Sequence, residues 1–173
     1  MINKNGKQRK NEGVTMEKIA SFTIDHTRLL PGLYVSRKDR IQQQVVTTFD
    51  LRFTAPNKEP VMGTGEMHTI EHLAATYLRN HGLWGSRVLY FGPMGCRTGF
   101  YLLMAGDLTS EEILPLVRDC FRFIAEYAGE IPGASAVECG NYLDMDLPGA
   151  NRWGKKYSTL LERAAAAQLR YPE

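Results

Sequence analysis

The chain has 173 residues, 43% hydrophobic and 23% charged, with a formal net charge of +2, which suits one globular domain with apolar material enough for a core. So small a charge, with no basic stripe beyond the first ten positions, gives no ground for a nucleic-acid partner. No apolar run approaches the roughly eighteen residues of a membrane span, and the polar start MINKNGKQRKNEG lacks the apolar segment of a signal peptide, so a cytoplasmic protein is expected.

Residues 1–15 are dominated by Lys, Asn, Gly, Gln and Arg and read as a disordered tail or upstream extension. A single domain is expected over 16–173, opening at Met16. Residues 45–54 read as a strand: Phe49, Leu51 and Phe53 alternate with Thr48, Asp50 and Arg52, so Arg52 faces away from the apolar side. The turn APNKEP follows. Residues 66–81 read as a helix, with Met67, Ile70, Leu73, Ala74, Tyr77 and Leu78 at helical spacing and Gly82 as the residue that ends it. Residues 87–92 and 99–106 read as paired strands, apolar at nearly every position and so expected to be covered by helices. Thr109-Ser110-Glu111-Glu112 has the form of a capping box, opening a helix to about Tyr127; Pro115 either distorts its first turn or delays its start. A last helix is expected over 151–170. Strands and helices in no strict alternation predict an α+β fold, a mostly antiparallel sheet packed against several helices.

The informative segment is His68-Thr69-Ile70-Glu71-His72. Residues four apart on a helix share a face, about 5–6 Å between their Cβ atoms, so His68 and His72 can reach one metal ion. Glu71 lies beside that ion, placed to move protons without being a ligand. A catalytic metal takes three protein ligands and keeps one position open. Cys139, in a turn after Pro132 and Gly133, is the candidate third ligand, with a buried small hydrophobe as the other reading. Cys120 falls on the apolar face of its helix and is assigned to the core. Cys96 sits between glycines in GPMGCRTGFY; it is either a turn cysteine or, with a cation or metal nearby, a reactive thiol. Three cysteines in all argue against a disulfide framework.

HTIEH, then GPMGCRTGFYL, then ECGNYLDMDLP, together with SFTIDHTRLLPGLYV and FDLRFTAPNKEP, resemble the S-ribosylhomocysteine lyase family (LuxS, the autoinducer-2 synthases), in the same order and from about Met16 onward. The resemblance implies a homodimer with active sites at the subunit interface, cleaving S-ribosylhomocysteine to homocysteine and 4,5-dihydroxy-2,3-pentanedione, the autoinducer-2 precursor. It implies one divalent metal per subunit on His68, His72 and Cys139, Fe²⁺ with Zn²⁺ or Co²⁺ as substitutes. Cys96 and Glu71 become the acid/base pair, and Ser21, His26 and Arg52 the substrate contacts. One departure stands out: where the family pattern has an aspartate, an aliphatic residue and a serine before GPMGC, this chain has Tyr90, Phe91 and Gly92. If that aspartate holds the amino-acid end of the substrate, this chain must hold it otherwise.

Two rival readings come from the residues alone. His-x-x-Glu-His also marks a class of zinc metallopeptidases, which needs a further carboxylate ligand and gives Cys96 no role. A non-catalytic metal-binding module would need a closed site, with four protein ligands.

Overall fold

The computed structural model describes Ile19 and residues 22–172. Ser21 and the expected tail at 1–15 lie outside the described residues. Four strands form one antiparallel sheet in the order β1-β2-β4-β3: β1 (Gly32–Ile41), β2 (Gln44–Arg52), β3 (Val88–Pro93) and β4 (Gly99–Ala105). Three helices, α1 (Thr64–Arg79), α2 (Ser110–Glu126) and α3 (Leu147–Glu162), complete the α+β fold. Among the described residues no helix is long and apolar enough to cross a membrane.

The helices cover one face of the sheet. Phe49 and Leu51 of β2 and Phe100, Leu102 and Met104 of β4 are fully buried against α1, α2 and α3. Phe53 is the centre of this core: it stacks on Tyr157 at 4.0 Å and meets Phe121 and Phe100 edge-on at 5.1 and 5.4 Å. Burying such a ring contributes about 1.5–3 kcal/mol. The strands expected at 87–92 and 99–106 do pair, but helices do not cover both sides. Tyr101, Leu103 and Ala105 point to the other face and are only half-buried, the pattern of an antiparallel sheet with one face on the core.

α1 begins at Thr64, two residues before the expected start, because Glu66 reaches back to cap it. Its carboxylate accepts from the Gly63 N–H at 2.7 Å and from Trp153 Nε1–H of α3 at 2.8 Å, fixing the N-terminus of α1 against α3. Its C-cap is Asn80, at φ −90°, and the backbone enters no left-handed turn at Gly82. Gly82 therefore does not play the terminating role expected of it. α2 carries the expected capping box, with Thr109 and Glu112 bonded reciprocally. Pro115 neither delays nor breaks this helix; its missing N–H would have met the carbonyl of Glu111, which is exposed and can turn to water.

The last helix differs most from expectation. It starts at Leu147, where Asp146 caps the Gly149 N–H at 2.9 Å, and ends at Glu162, well short of residue 170. The alanines that follow favour helix by propensity, yet the chain turns through a short 3₁₀ segment, Ala166–Gln168, and runs back over β1. Tyr171 stacks there on Tyr34 at 4.8 Å. Tertiary burial of one aromatic pair outweighs local helix preference. β1 has no counterpart among the expected elements: its charged run Arg37–Arg40 hides the alternation, and the hairpin turns at Gln42, φ 55°, without Gly or Asn.

Candidate metal centre and thiol pocket

α1 buries Met67, Ile70, Leu73 and Leu78, which rotates His68, Glu71 and His72 to the rim of the core, all three half-buried. His68 Nδ1 lies 3.0 Å from the Asp144 carbonyl and His72 Nδ1 2.7 Å from the Pro132 carbonyl. A carbonyl only accepts, so each Nδ1 carries the proton and each Nε2 keeps a free lone pair. The two rings stand 4.7 Å apart and nearly perpendicular. Cys139 joins them: its Sγ is 3.3 Å from His68 Nε2, and the ligand atoms of His68, His72 and Cys139 all lie within 4.8 Å of one another.

The loop between α2 and α3 supplies this geometry. The Cys139 N–H donates to the Ser135 carbonyl at 2.9 Å, and the Asn141 N–H donates to the Cys139 sulfur at 3.4 Å. Gly133, at φ 71°, lies against the His72 ring: a Cβ there would stand 3.4 Å from Nδ1. The resulting donor set is two imidazoles oriented by backbone carbonyls and one sulfur held by a backbone N–H. Such a set fits a borderline divalent ion. Among the described residues no fourth His, Cys, Asp or Glu joins the group, so it offers three donors where a closed structural site takes four. The third donor is a sulfur and not a carboxylate, which removes the support for a metallopeptidase. Glu71 lines the same cavity of about 560 Å³, with Phe91 and Glu138.

Cys96 lies elsewhere. It sits at the tip of the β3–β4 turn, where Arg97 takes φ 60° and donates its N–H to the Met94 carbonyl at 2.9 Å. It opens into a second cavity of about 500 Å³, lined also by His26, Arg52, Glu59 and Tyr101. A smaller cavity of about 250 Å³ shares His68 with the metal cavity and Pro93, Met94 and Gly95 with the thiol cavity. The chain thus brings His68, His72, Cys139 and Glu71 together, and separately Cys96, His26 and Arg52.

Arg52 does leave the apolar face, as its alternation predicts, but it is 3% exposed. Its guanidinium makes a two-pronged bond to Asp50, Nη2 to Oδ2 at 2.6 Å and Nε to Oδ1 at 3.1 Å. Burial works against the charge on Arg52, but the Asp50 carboxylate outweighs it and holds the guanidinium above its ordinary value. Arg52 Nη1 donates to Thr98 Oγ1 at 2.5 Å, and Thr98 Oγ1 lies 3.1 Å from Cys96 Sγ. Burial pushes the Cys96 thiol up, but hydrogen bonds from the Thr98 hydroxyl and backbone, with the Arg52 charge, more than offset it. The thiol lies below its ordinary range. Cys120 is the opposite case: fully buried on α2, its thiol is pushed far up by burial alone and belongs to the core.

Sequence reasoning missed Asp50, Thr98 and Tyr171. Asp50 carried a signal, an opposite charge two residues from Arg52 on one strand face. Thr98 and Tyr171 carried none that separates them from other turn and tail residues.

Comparison with known proteins adds the family. The S-ribosylhomocysteinase (LuxS) family model matches residues 19–167. An S-ribosylhomocysteine lyase of Clostridium acetobutylicum is 62% identical over 158 residues, covering 91% of this chain and all of that protein. Another, of Phocaeicola vulgatus, is 56% identical over 158 residues, covering 91% of this chain and 98% of that protein. A third, of Borreliella burgdorferi, is 49% identical over 157 residues, covering 91% of this chain and 100% of that protein. A two-imidazole, one-sulfur site on this fold, in a chain matched over so much of its length, has one family reading: the chain belongs to the S-ribosylhomocysteinase (LuxS) family.

Proposed function

We propose that this chain is an S-ribosylhomocysteine lyase that breaks the thioether of its substrate to release homocysteine and 4,5-dihydroxy-2,3-pentanedione, the precursor of the autoinducer-2 signal. The observation that carries this is the three-donor site of His68, His72 and Cys139 with Glu71 on its wall. His68, His72 and Cys139 would hold one divalent metal, Fe²⁺, with Zn²⁺ or Co²⁺ able to substitute. When bound, the metal supplies Lewis acidity that stabilises negative charge on the sugar oxygens.

The chain's own residues then move protons. The sulfur leaves only from a carbon β to a carbonyl, so the sugar carbonyl must first travel from C1 through C2 to C3. Each shift takes a proton from one carbon and returns one to its neighbour. Cys96, whose thiolate form Thr98 and Arg52 favour, serves the earlier transfers. Glu71 serves the later ones and takes the C4 proton; the C4–H electron pair forms the C4=C5 bond as the C5–S bond breaks. The sulfur leaves with the C–S pair and takes up a proton to become homocysteine. The C4 enol gains a proton at C5 and loses its hydroxyl proton to become the pentanedione. Ser21, His26 and Arg52 hold the substrate; the ring nitrogen of His26 that meets the Ile24 carbonyl at 2.9 Å is a donor, leaving the other as acceptor.

Among the described residues of one copy the thiol pocket and the metal cavity are separate and share no lining residue, with a small cavity bordered by residues of both between them. The sheet face opposite the helices leaves Tyr90, Tyr101 and Leu103 partly exposed. Both observations support a homodimer in which a second copy covers that face and the sites form at the interface; the polar start of the sequence, with no signal-peptide segment, supports the cytoplasm as its compartment. The test is metal-loaded, oxygen-protected protein incubated with S-ribosylhomocysteine while free thiol is titrated. Release of homocysteine with a dimeric mass by light scattering is the expected result; absence of thiol release overturns the reading.

A further inference from the structure

We propose that Thr98 is a positioning residue for Cys96, its hydroxyl shared between the sulfur and an arginine that Asp50 and Tyr171 lock in place. This deepens the reading of Cys96 as an acid/base group and rests on it.

The four contacts form one chain. The Tyr171 hydroxyl donates to Asp50 Oδ2 at 2.8 Å. Asp50 accepts two bonds from Arg52, at 2.6 and 3.1 Å. Arg52 Nη1 donates to Thr98 Oγ1 at 2.5 Å and lies 4.0 Å from Cys96 Sγ. Thr98 Oγ1 completes the path, 3.1 Å from the sulfur. Arg52 only donates, so it occupies one lone pair of Thr98 Oγ1 and leaves the hydroxyl proton free; toward a thiolate, which only accepts, the hydroxyl is the donor. A hydroxyl that donates to sulfur favours the thiolate. Arg52 meets the sulfur only at 4.0 Å, at the limit for a hydrogen bond, so most of the directional contact comes through Thr98.

The burial pattern agrees. Asp50, Arg52 and Thr98 are 1%, 3% and 5% exposed, so the bonds among these three are shielded from water, while Cys96 at the end of the path is exposed. The link to Tyr171 explains why the chain turns back after α3. Its ring stacks on Tyr34 while its hydroxyl takes up part of the Asp50 charge. Without that bond Asp50 would neutralise Arg52 more fully, and less of the guanidinium charge would reach Cys96. The other titratable groups around the sulfur are His26 from the N-terminal segment, Glu59 from the loop after β2, Tyr101 from β4 and Arg97 beside it in the turn.

The test reads the sulfur directly and needs no substrate. Metal-loaded protein is alkylated with iodoacetamide across a pH series, and modification at Cys96 is followed by peptide mass spectrometry. Thr98→Val, which keeps the shape and removes the hydroxyl, should move the pH midpoint up and slow alkylation below the midpoint roughly threefold to tenfold. Thr98→Ser should restore it, and Tyr171→Phe should move it the same way by less. A midpoint unchanged in Thr98→Val overturns the proposal, and so does a shift that Thr98→Ser fails to restore. Because wild-type homocysteine release is measured separately, failure here leaves the lyase reading standing, and failure there leaves this result readable.

Discussion

The Tyr90 ring lies back over Gly92: a Cβ on Gly92 would overlap the Tyr90 phenol oxygen. The two residues are two apart on β3 and share the face opposite the helices, paired with Leu103 and Tyr101 of β4. These are the positions where the family pattern reads aspartate and serine, and here the large side chain rests in the space that a side chain at position 92 would take.

Gly92→Ser should therefore push the Tyr90 ring outward in this chain and cost little once Tyr90 is also replaced by aspartate. Tyr90 is 48% exposed and free to swing, so the cost is modest. A double-mutant cycle on unfolding free energy should return a coupling of about 0.5–1.5 kcal/mol. Additive effects would mean the ring does not depend on Gly92.

Replacing Cys139 with serine, or His72 with alanine, should abolish stoichiometric metal in the purified protein, since each removes one of three converging donors. Metal analysis by mass spectrometry decides it. Cys96→Ala and Glu71→Gln should retain the metal and lose about 10²–10⁴-fold in turnover. Loss of metal in these two variants would place them among the ligands instead.

Gly133→Ala tests the loop that aims His72. The backbone there is left-handed, φ 71°, which an alanine adopts only with strain, at a cost of roughly 1 kcal/mol or more. The new methyl would also press on His72, its carbon 3.4 Å from Nδ1. The expected outcome is weaker metal retention under chelator together with a lower melting temperature. Unchanged metal affinity would show that the Pro132 carbonyl, not the space at Gly133, sets the ring.

What was legible in the sequence followed the period of its elements. His68 and His72 came from helical spacing, and the sheet core from the alternation through Phe49, Leu51 and Phe53. Cys139 was legible only as a candidate, because no local pattern says that a loop 71 residues from His68 returns to it. β1 was hidden by its charges. The end of α3 was hidden by four consecutive alanines, whose helix preference is lost to the stacking of Tyr171 on Tyr34. The alternation placed Arg52 on the polar face but could not show that this face is buried there, because Tyr171, 121 positions from Asp50, comes back to bond the carboxylate that pairs with Arg52.

Cys96 should also leave a trace in folding stability. Its thiol lies lower in the folded chain than its ordinary value of 9.0, so the folded state releases the proton first. The stabilisation this gives is complete above the unfolded thiol's range and is lost as pH falls through the folded value. Cys96→Ser, which does not titrate there, removes it. The stability difference between wild type and Cys96→Ser should therefore grow as pH rises toward 9.0, and be flat below the folded value. Since Cys96 is solvent-exposed, the difference is small, and melting temperatures must be compared at equal metal loading. A difference that shrinks with rising pH would mean the sulfur sits in a site that favours the neutral thiol, and the path through Thr98 to Arg52 would then hold the protein together without activating Cys96.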